Sequence, residues 1–138
     1  AQTGRVPPVA WLLFGSVVLW TAAFDTIYAM VDRAEDKKIG VKSTAILFGS
    51  ADRIVVAVMQ VLTLAGLWSA GHLAGLNGWY RAGLVAAALS VLYQQYLISG
   101  RERDRCFRAF LNNNTFGALV FAGIALDYLF KSSRIVAT

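Results

Sequence analysis

The sequence predicts an all-α fold, a polytopic transmembrane bundle of about four membrane-spanning helices. Of the 138 residues, 57% are hydrophobic and only 15% are charged, and the mean hydropathy is +0.56. Four stretches contain no Asp, Glu, Lys or Arg: residues 6–24, 54–80, 82–100 and 109–126. Each can cross a hydrocarbon core of about 30 Å as a helix rising about 1.5 Å per residue. The apolar composition and the single cysteine, Cys106, exclude disordered, coiled-coil and disulfide-rich secreted proteins.

The first helix begins at about Val9, after two prolines that the first helical turn tolerates. No turn signal ends this helix, and its pattern continues through a charged segment to Asp36. At about 100° per residue, Asp25, Asp32 and Asp36 fall within about 20° of one line, with Tyr28 beside them. We therefore expect one acidic face, defined here as the side of the first helix that carries these three aspartates.

Two interpretations of the acidic face remain open. Facing carboxylates provide the hard oxygen ligands that suit Mg²⁺, which also keeps waters and takes substrate phosphates. Alternatively, Asp32 and Asp36 are solvated acids neutralised by neighbouring Arg33, Lys37 and Lys38. Asp25 favours the first interpretation, because a carboxylate this close to an apolar run costs about 2.5–3.5 kcal/mol to insert and needs a functional reason.

The other three helices follow from the remaining charge-free stretches, and the basic residues between the stretches orient them. Five basic residues lie between the first and second stretches, and four lie between the third and fourth. The short turn between the second and third stretches, from His72 to Arg81, contains only one, Arg81. The positive-inside rule assigns the nine to the cytoplasmic side and the turn and both termini to the other side. This clustering between apolar runs argues against a nucleic-acid-binding protein.

The segment from Asp25 to Gly49, DTIYAMVDRAEDKKIGVKSTAILFG, resembles the second aspartate-rich motif of the UbiA superfamily of intramembrane prenyltransferases. The later segments Tyr93-Gln94-Gln95, Arg101-Glu102-Arg103, Cys106-Phe107, Ala109-Phe110 and Asn112-Asn113-Asn114 are similar to later helices of the same family. The family has about nine helices and a first motif of the Asn-Asp-x-x-Asp-x-x-x-Asp type, which does not occur here. Residues 1–138 therefore look like the C-terminal half of a UbiA-type membrane domain.

The resemblance implies an activity: Mg²⁺-dependent transfer of a polyprenyl group from polyprenyl diphosphate to the ring carbon ortho to the hydroxyl of 4-hydroxybenzoate, in ubiquinone biosynthesis. It implies Asp32 and Asp36 as the metal-binding pair and, with Asp25 and Tyr28, as catalytic residues. Lys42 and Arg33 are the implied diphosphate-binding residues. It also implies a bacterial inner membrane protein with its active-site loops on the cytoplasmic side. The missing N-terminal half is the expected partner, so the chain alone is expected to be inactive.

Several other residues carry weaker predictions. Trp20 and Phe24 either shield an allylic cation or are ordinary packing aromatics. The arginines from 101 to 108 either contact lipid headgroups or reach the diphosphate or benzoate. We expect residues 112–114 to cap the fourth helix, Asp127 to extend to the outer interface beside Lys131, and small residues such as Gly83 and Gly123 to allow close helix packing.

Two alternative functions fit the same residues. One is a prenyltransferase of the same family with another acceptor, such as homogentisate, a naphthoate or haem. The other is a non-catalytic helical module or cation transporter, in which the acidic face binds ions rather than a metal-bound diphosphate.

Overall fold

The computed structural model describes residues 4–136, with side chains through residue 133. Four long helices form an antiparallel bundle: α1 (Pro8–Ile39), α3 (Asp52–Leu73), α4 (Gly78–Leu97) and α5 (Arg103–Val136), with a short helix α2 (Thr44–Phe48) after α1. Single 3₁₀ turns at Gly49–Ala51 and Ile98–Gly100 precede α3 and α5. The described residues contain no strand. The predicted all-α class is confirmed, and four helical segments are long and apolar enough to span a membrane.

Helix α1 runs without interruption from the apolar stretch through the charged segment, as predicted. Pro7 is extended at its N-cap and Pro8 occupies the first turn, where a missing N–H costs nothing. The helix ends at Gly40, whose φ of 75° is left-handed and therefore favours glycine. Because α1 continues to Ile39, its acidic segment keeps helical geometry and the three aspartates share one face.

The helices pack as two close pairs, α1 with α3 and α4 with α5. In the second pair, a Cβ on Gly83 would lie only 2.9 Å from the Cα of Gly123 and from the carbonyl oxygen of Leu119. The predicted role of Gly83 and Gly123 in close helix approach is confirmed. Lipid provides no hydrophobic driving force for helix association, so van der Waals contact between such close backbones stabilises the helix pair instead.

Polar side chains connect α3, α4 and α5 within the bundle. Gln60 Nε2 donates to Gln94 Oε1 (2.7 Å), and Gln95 Nε2 donates to Gln60 Oε1 (2.8 Å). Ser90 Oγ and Gln94 Nε2 both donate to Asn112 Oδ1, at 2.7 and 3.3 Å. These interhelical hydrogen bonds satisfy amide groups that would otherwise be buried without partners.

Two predictions about the last helix are wrong. Residues 112–114 do not cap it, because α5 already begins at Arg103, and Cys106 N donates to Glu102 O. The charged segment forms the first turns of α5, so the apolar run starts later than the helix.

Asp127 does not extend to an interface either. It is 5% exposed and accepts a hydrogen bond of 2.9 Å from the backbone N–H of Asn77. Lys131, one turn further on, donates instead to the carbonyl of Gly75 at 3.2 Å. Asp127 therefore holds the α3–α4 turn against α5, at the N-terminus of α4, where a carboxylate is favoured by the helix dipole.

Candidate active site

The acidic face of α1 points away from the other helices of the chain. The buried residues of this part of α1 are Ala23, Thr26, Ile27, Met30 and Val31, which lie on the opposite side of the helix at about 100° per residue. Asp25 is exposed, and Asp32 and Asp36 are half-buried. The same stripe continues toward the N-terminus through exposed Trp11, Phe14 and Val18. An apolar and acidic stripe is thus left uncovered by the described part of the chain.

Asp25 lies at the depth of the apolar spans. It precedes Arg33 by eight residues, which is about 12 Å along a helix. Its neighbours Phe24 and Tyr28 both contact Phe110, a residue within the charge-free stretch of α5. An exposed carboxylate at this depth is costly in lipid and normally faces a protein interior or a water-filled cavity.

A buried carboxylate, Asp52, connects α1, α3 and the α4–α5 link at one end of the bundle. Its side chain has no exposed surface and pairs with both Arg33 and Arg101. Arg101 Nε and Nη2 donate to its two oxygens at 2.8 to 3.2 Å, and the backbone N–H of Arg53 donates at 2.6 Å. We call the end of the bundle where Arg33, Asp52 and Arg101 meet the charged end.

The guanidinium of Arg33 also secures the segment after α1. Its Nη2 donates to the carbonyls of Ala45 and Gly49 as well as to Asp52. Hydrogen bonding to Asp52 raises the pKa of the Arg101 guanidinium above its already high usual value, so this arginine stays protonated. Sequence reasoning missed Asp52. The available signal was a single acid, followed by Arg53, directly before an apolar run.

The predicted diphosphate-binding residues differ in their surroundings. Arg33 is held at the charged end, on a different side of α1 from Asp32 and Asp36, and its side chain is one-fifth exposed. Lys42 lies in the exposed link between α1 and α2, where Ser43 Oγ caps α2 by accepting from Ile46 N at 3.3 Å. Both assignments stay predictions.

Aromatic side chains from α1 and α5 form a wall beside the acidic face. Ring centroids of Tyr28 and Phe110 are 4.9 Å apart, those of Phe24 and Phe110 are 6.0 Å apart, and those of Phe107 and Phe110 are 6.4 Å apart. We call these four residues the aromatic wall. Sequence reasoning identified its α1 members, but it quoted Phe107 and Phe110 only for the family resemblance and predicted no role for them. Their spacing of three residues on a helix was the available signal.

An apolar groove of about 190 Å³ continues from the aromatic wall toward the middle of the spans. Trp20, Val17, Phe116 and Phe121 are among its lining residues. The Trp20 ring contacts Phe24 of the wall at 5.9 Å and Phe116 at 5.7 Å, and its Nε1 donates to Asn113 Oδ1 at 2.7 Å. The groove can accommodate part of a flexible hydrocarbon chain.

The acidic face offers two carboxylates to a metal, one turn apart at Asp32 and Asp36. No group of three or more His, Cys, Asp and Glu side chains suited to a metal occurs within the described ranges. Mg²⁺ takes one or two protein carboxylates and completes its shell with water and phosphate oxygens. The donor set on α1 therefore fits one side of a Mg²⁺–phosphate site and leaves the other side to further ligands.

Arginines at and just before the start of α5 bind other groups of the chain. Arg101 binds Asp52, Arg103 Nη1 pairs with Glu35 Oε1 at 3.1 Å, and Arg105 Nη2 donates to the carbonyl of Tyr96 at 3.0 Å. Lipid or substrate contacts were predicted for all these arginines. The structure shows that they also join α1, α3 and α4 to the start of α5.

Comparison with known proteins agrees with this architecture. A sequence model of the UbiA prenyltransferase family matches residues 1–125. The chain is 59% identical over 127 residues to a 4-hydroxybenzoate octaprenyltransferase of Alkalilimnicola ehrlichii, covering 92% of the chain and 43% of the relative. It is 57% identical over 129 residues to the enzyme of the same name from Methylococcus capsulatus, covering 94% and 44%.

The chain thus spans less than half the length of the curated relatives it matches. No solved structure gives a significant match. The family match covers most of the chain and includes the acidic segment of α1, the charged end and most of α5. The chain therefore belongs to the UbiA prenyltransferase family, whose members are integral membrane proteins.

Proposed function

We propose that residues 1–138 form the C-terminal half of a Mg²⁺-dependent prenyltransferase. Its reaction is transfer of a polyprenyl group from polyprenyl diphosphate to the ring carbon ortho to the hydroxyl of 4-hydroxybenzoate, in ubiquinone biosynthesis. The observation that carries the proposal is the uncovered acidic face of α1, at membrane depth and beside the aromatic wall. The names of the relatives support the donor and acceptor classes.

Asp32 and Asp36 hold Mg²⁺ in this proposal. When bound, the metal neutralises the diphosphate and makes it a better leaving group as the allylic C–O bond breaks. The two carboxylates lie one turn apart on α1, where they would hold the metal, and Lys42, in the exposed link to α2, would contribute a point charge to the diphosphate oxygens. Arg33 contributes to the same field from the charged end, where Asp52 fixes its guanidinium.

The aromatic wall protects the allylic carbon as positive charge develops on it. The faces of Tyr28, Phe24 and Phe110 stabilise a cation by cation–π attraction and exclude water, which would convert the donor into an alcohol. The groove next to Trp20 receives part of the polyprenyl chain through apolar contact.

The acceptor ring forms the new C–C bond, and its displaced proton must leave. We assign Asp25 to the acceptor, because this carboxylate lies on the acidic face at the level of Phe24 and Tyr28, further into the membrane span than Asp32. A carboxylate near the reacting ring can orient the acceptor or take up its proton.

The remaining ligands and the second wall of the site belong to an N-terminal half in this proposal. Support comes from three facts: the described residues leave the face uncovered, they contain no group of three or more metal-ligand side chains, and the chain spans less than half of its relatives. The chain alone is then inactive. In this proposal the charged end, and the active-site loops with it, lie on the cytoplasmic side of a bacterial inner membrane. The basic segments support this orientation through the positive-inside rule.

The test is prenyl transfer in membranes that contain the complete gene product carrying residues 1–138. Labelled 4-hydroxybenzoate, a polyprenyl diphosphate and Mg²⁺ are supplied, and Asp32→Ala and Asp36→Ala are compared with the unchanged protein. Each variant is expected to lose at least about a hundredfold in turnover, the scale on which removal of one preorganised electrostatic group acts.

Glu35→Gln is the matched control, since Glu35 lies on the same helix but on another side, paired with Arg103. It should keep turnover within about twofold, as an exposed ion pair contributes little. Full turnover in Asp32→Ala and Asp36→Ala would refute the role of the acidic face. Turnover by residues 1–138 alone would refute the need for an N-terminal half.

The same assay distinguishes the alternative functions. A panel of 4-hydroxybenzoate, homogentisate, a naphthoate and haem identifies the acceptor, and product from another acceptor but none from 4-hydroxybenzoate would contradict the proposed substrate. Mg²⁺ binding or flux that is independent of polyprenyl diphosphate, without any product, would favour a non-catalytic module.

A further inference from the structure

A second cavity lies on the side of α1 opposite the acidic face. It has a volume of about 300 Å³ and is formed by the last turns of α1 and the link between α4 and α5. Its inner end is closed by Met30 and Val31, which are almost fully buried, and its rim is basic. The basic rim residues are Arg33, Lys37, Arg101 and Arg103. We call this the rim cavity.

The rim cavity carries more positive than negative charge. Arg33 and Arg101 share the single carboxylate of Asp52, and Arg103 pairs with Glu35, which also lines the cavity. Lys37 has no carboxylate within ion-pair distance in the described part of the chain. Two positive charges are thus left over at one site, which is an attraction for an anion.

One guanidinium at the cavity also has an unused hydrogen-bond donor. Nη2 of Arg33 donates to three acceptors, yet its Nε is buried and donates to no atom of the described residues. A buried N–H without a partner costs free energy. The Arg33 guanidinium beside the cavity thus keeps one N–H uncompensated.

The rim cavity lies at the border between polar and apolar surroundings. Arg53 and Arg101 directly adjoin the charge-free stretches of α3 and α4, so the charged end marks this border. Met30 and Val31 lie a turn or less further into the span than Arg33 and Ala34. The cavity thus places cationic donors at headgroup level above an apolar surface at the level where acyl chains begin.

We propose that the rim cavity binds the headgroup of an anionic phospholipid of the surrounding bilayer. The phosphate lies against Lys37, Arg101 and Arg103, and the upper acyl chain lies along exposed Ala34 and the methylene groups of the basic side chains. The prenyl donor is not the occupant, because the aspartates that would hold its metal are on the other side of α1, a helix about 10 Å across. The proposal does not depend on the transferase activity.

The test uses the complete gene product carrying residues 1–138, delipidated and placed in neutral detergent. Binding of phosphatidylglycerol and of phosphatidylcholine is measured by native mass spectrometry, for the unchanged protein and for Lys37→Gln and Arg103→Gln. We expect preference for phosphatidylglycerol and a loss of about fivefold in its affinity for each basic residue removed. Glu35→Gln removes the negative charge from the rim and should increase the affinity by a similar factor, an effect that misfolding does not produce.

Lys38→Gln and Arg108→Gln are the matched controls, because they remove the same charge from neighbouring positions that do not line the rim cavity. They should change the affinity less than twofold. Equal binding of the two lipids, or equal losses in the control variants, would overturn the proposal, since only a diffuse positive surface would then remain. Inorganic phosphate or polyglutamate binding as tightly as phosphatidylglycerol, with the same dependence on Lys37 and Arg103, would replace the lipid by a free anion or an acidic protein.

Discussion

At the scale of single residues, Asp52 is a buried carboxylate that joins two separate parts of the chain. Its carboxylate has no exposed surface and lies between two guanidiniums that arrive from α1 and from the α4–α5 link. Arg33, one of these partners, directly follows Asp32 of the acidic face. Asp52 therefore anchors the turn of α1 that carries Asp32, although it lies twenty positions further along the chain.

Replacing Asp52 should destabilise the bundle strongly. In Asp52→Asn, two partly buried arginines lose their counter-charge, and removing one partner of a buried ion pair costs about 3–5 kcal/mol. The free energy of unfolding in detergent micelles measures this loss. Glu35→Gln breaks an exposed pair, with side chains 60% and 63% exposed, and should cost at most about 1 kcal/mol. Equal losses in the two variants would show that burial does not govern the Asp52 pairs.

At the scale of elements, the packing of α4 on α5 depends on two glycines facing each other. The Cα of Gly123 is so close to Gly83 that the helix axes have no room for a methyl group between them. The polar contacts of Gln94 and Ser90 with Asn112 lie along the same helix pair. Close backbones and these hydrogen bonds are the two means by which helices associate in a bilayer.

Gly83→Ala should weaken this helix pair. The new Cβ would meet backbone atoms at 2.9 Å, which cannot rotate away, and overpacking of this kind costs about 1–3 kcal/mol. Gly15→Ala is the control, because nothing lies within 4 Å of a Cβ built on Gly15 in α1. That change should be neutral or stabilising by up to about 1 kcal/mol, since alanine is the better helix former. The free energy of unfolding in micelles compares the two variants. A neutral Gly83→Ala would contradict the prediction, because α4 and α5 could then move apart at no measurable cost.

At the scale of the whole molecule, the bundle has one side unlike the others. Most exposed surface of the spans is apolar, as expected for helices that face lipid. The acidic face of α1 combines such residues with Asp25 at membrane depth, and it lies next to the aromatic wall. A chain that spans less than half the length of its relatives leaves this side for the proposed N-terminal half to cover.

Photo-crosslinking should identify what covers that side. A benzoylphenylalanine at Phe14, which is 64% exposed on the line of the acidic face, should cross-link to peptides outside residues 1–138 in the complete gene product. The same probe at Leu89, equally exposed on α4 at 62%, should react with lipid. Mass spectrometry of the cross-linked peptides reads out both positions. Lipid adducts alone at position 14 would contradict the proposed interface.

Much of the fold was predictable because helix formation and hydrophobic periodicity are local. The charge-free stretches indicated the four spans, and the spacing of Asp25, Asp32 and Asp36 indicated their common face once α1 proved continuous. Predictions failed where a residue's partner lies far away in sequence. Asp127 contacts Asn77, fifty residues earlier, and Tyr28 contacts Phe110, eighty-two residues later. Residues 112–114 were misplaced because charged side chains in the first turns of α5 resemble a loop.

The sequence by itself determined the membrane class, the four helical spans and the single acidic face, since each depends on composition or on spacing within one segment. It also carried the resemblance to the UbiA family, through motif residues in several segments. Only the tertiary structure decided where that face points, which aromatic residues flank it, and that Asp52 binds Arg33 and Arg101. The physical reason is that a helix sets the direction of its side chains relative to one another, whereas helix packing sets what those side chains meet.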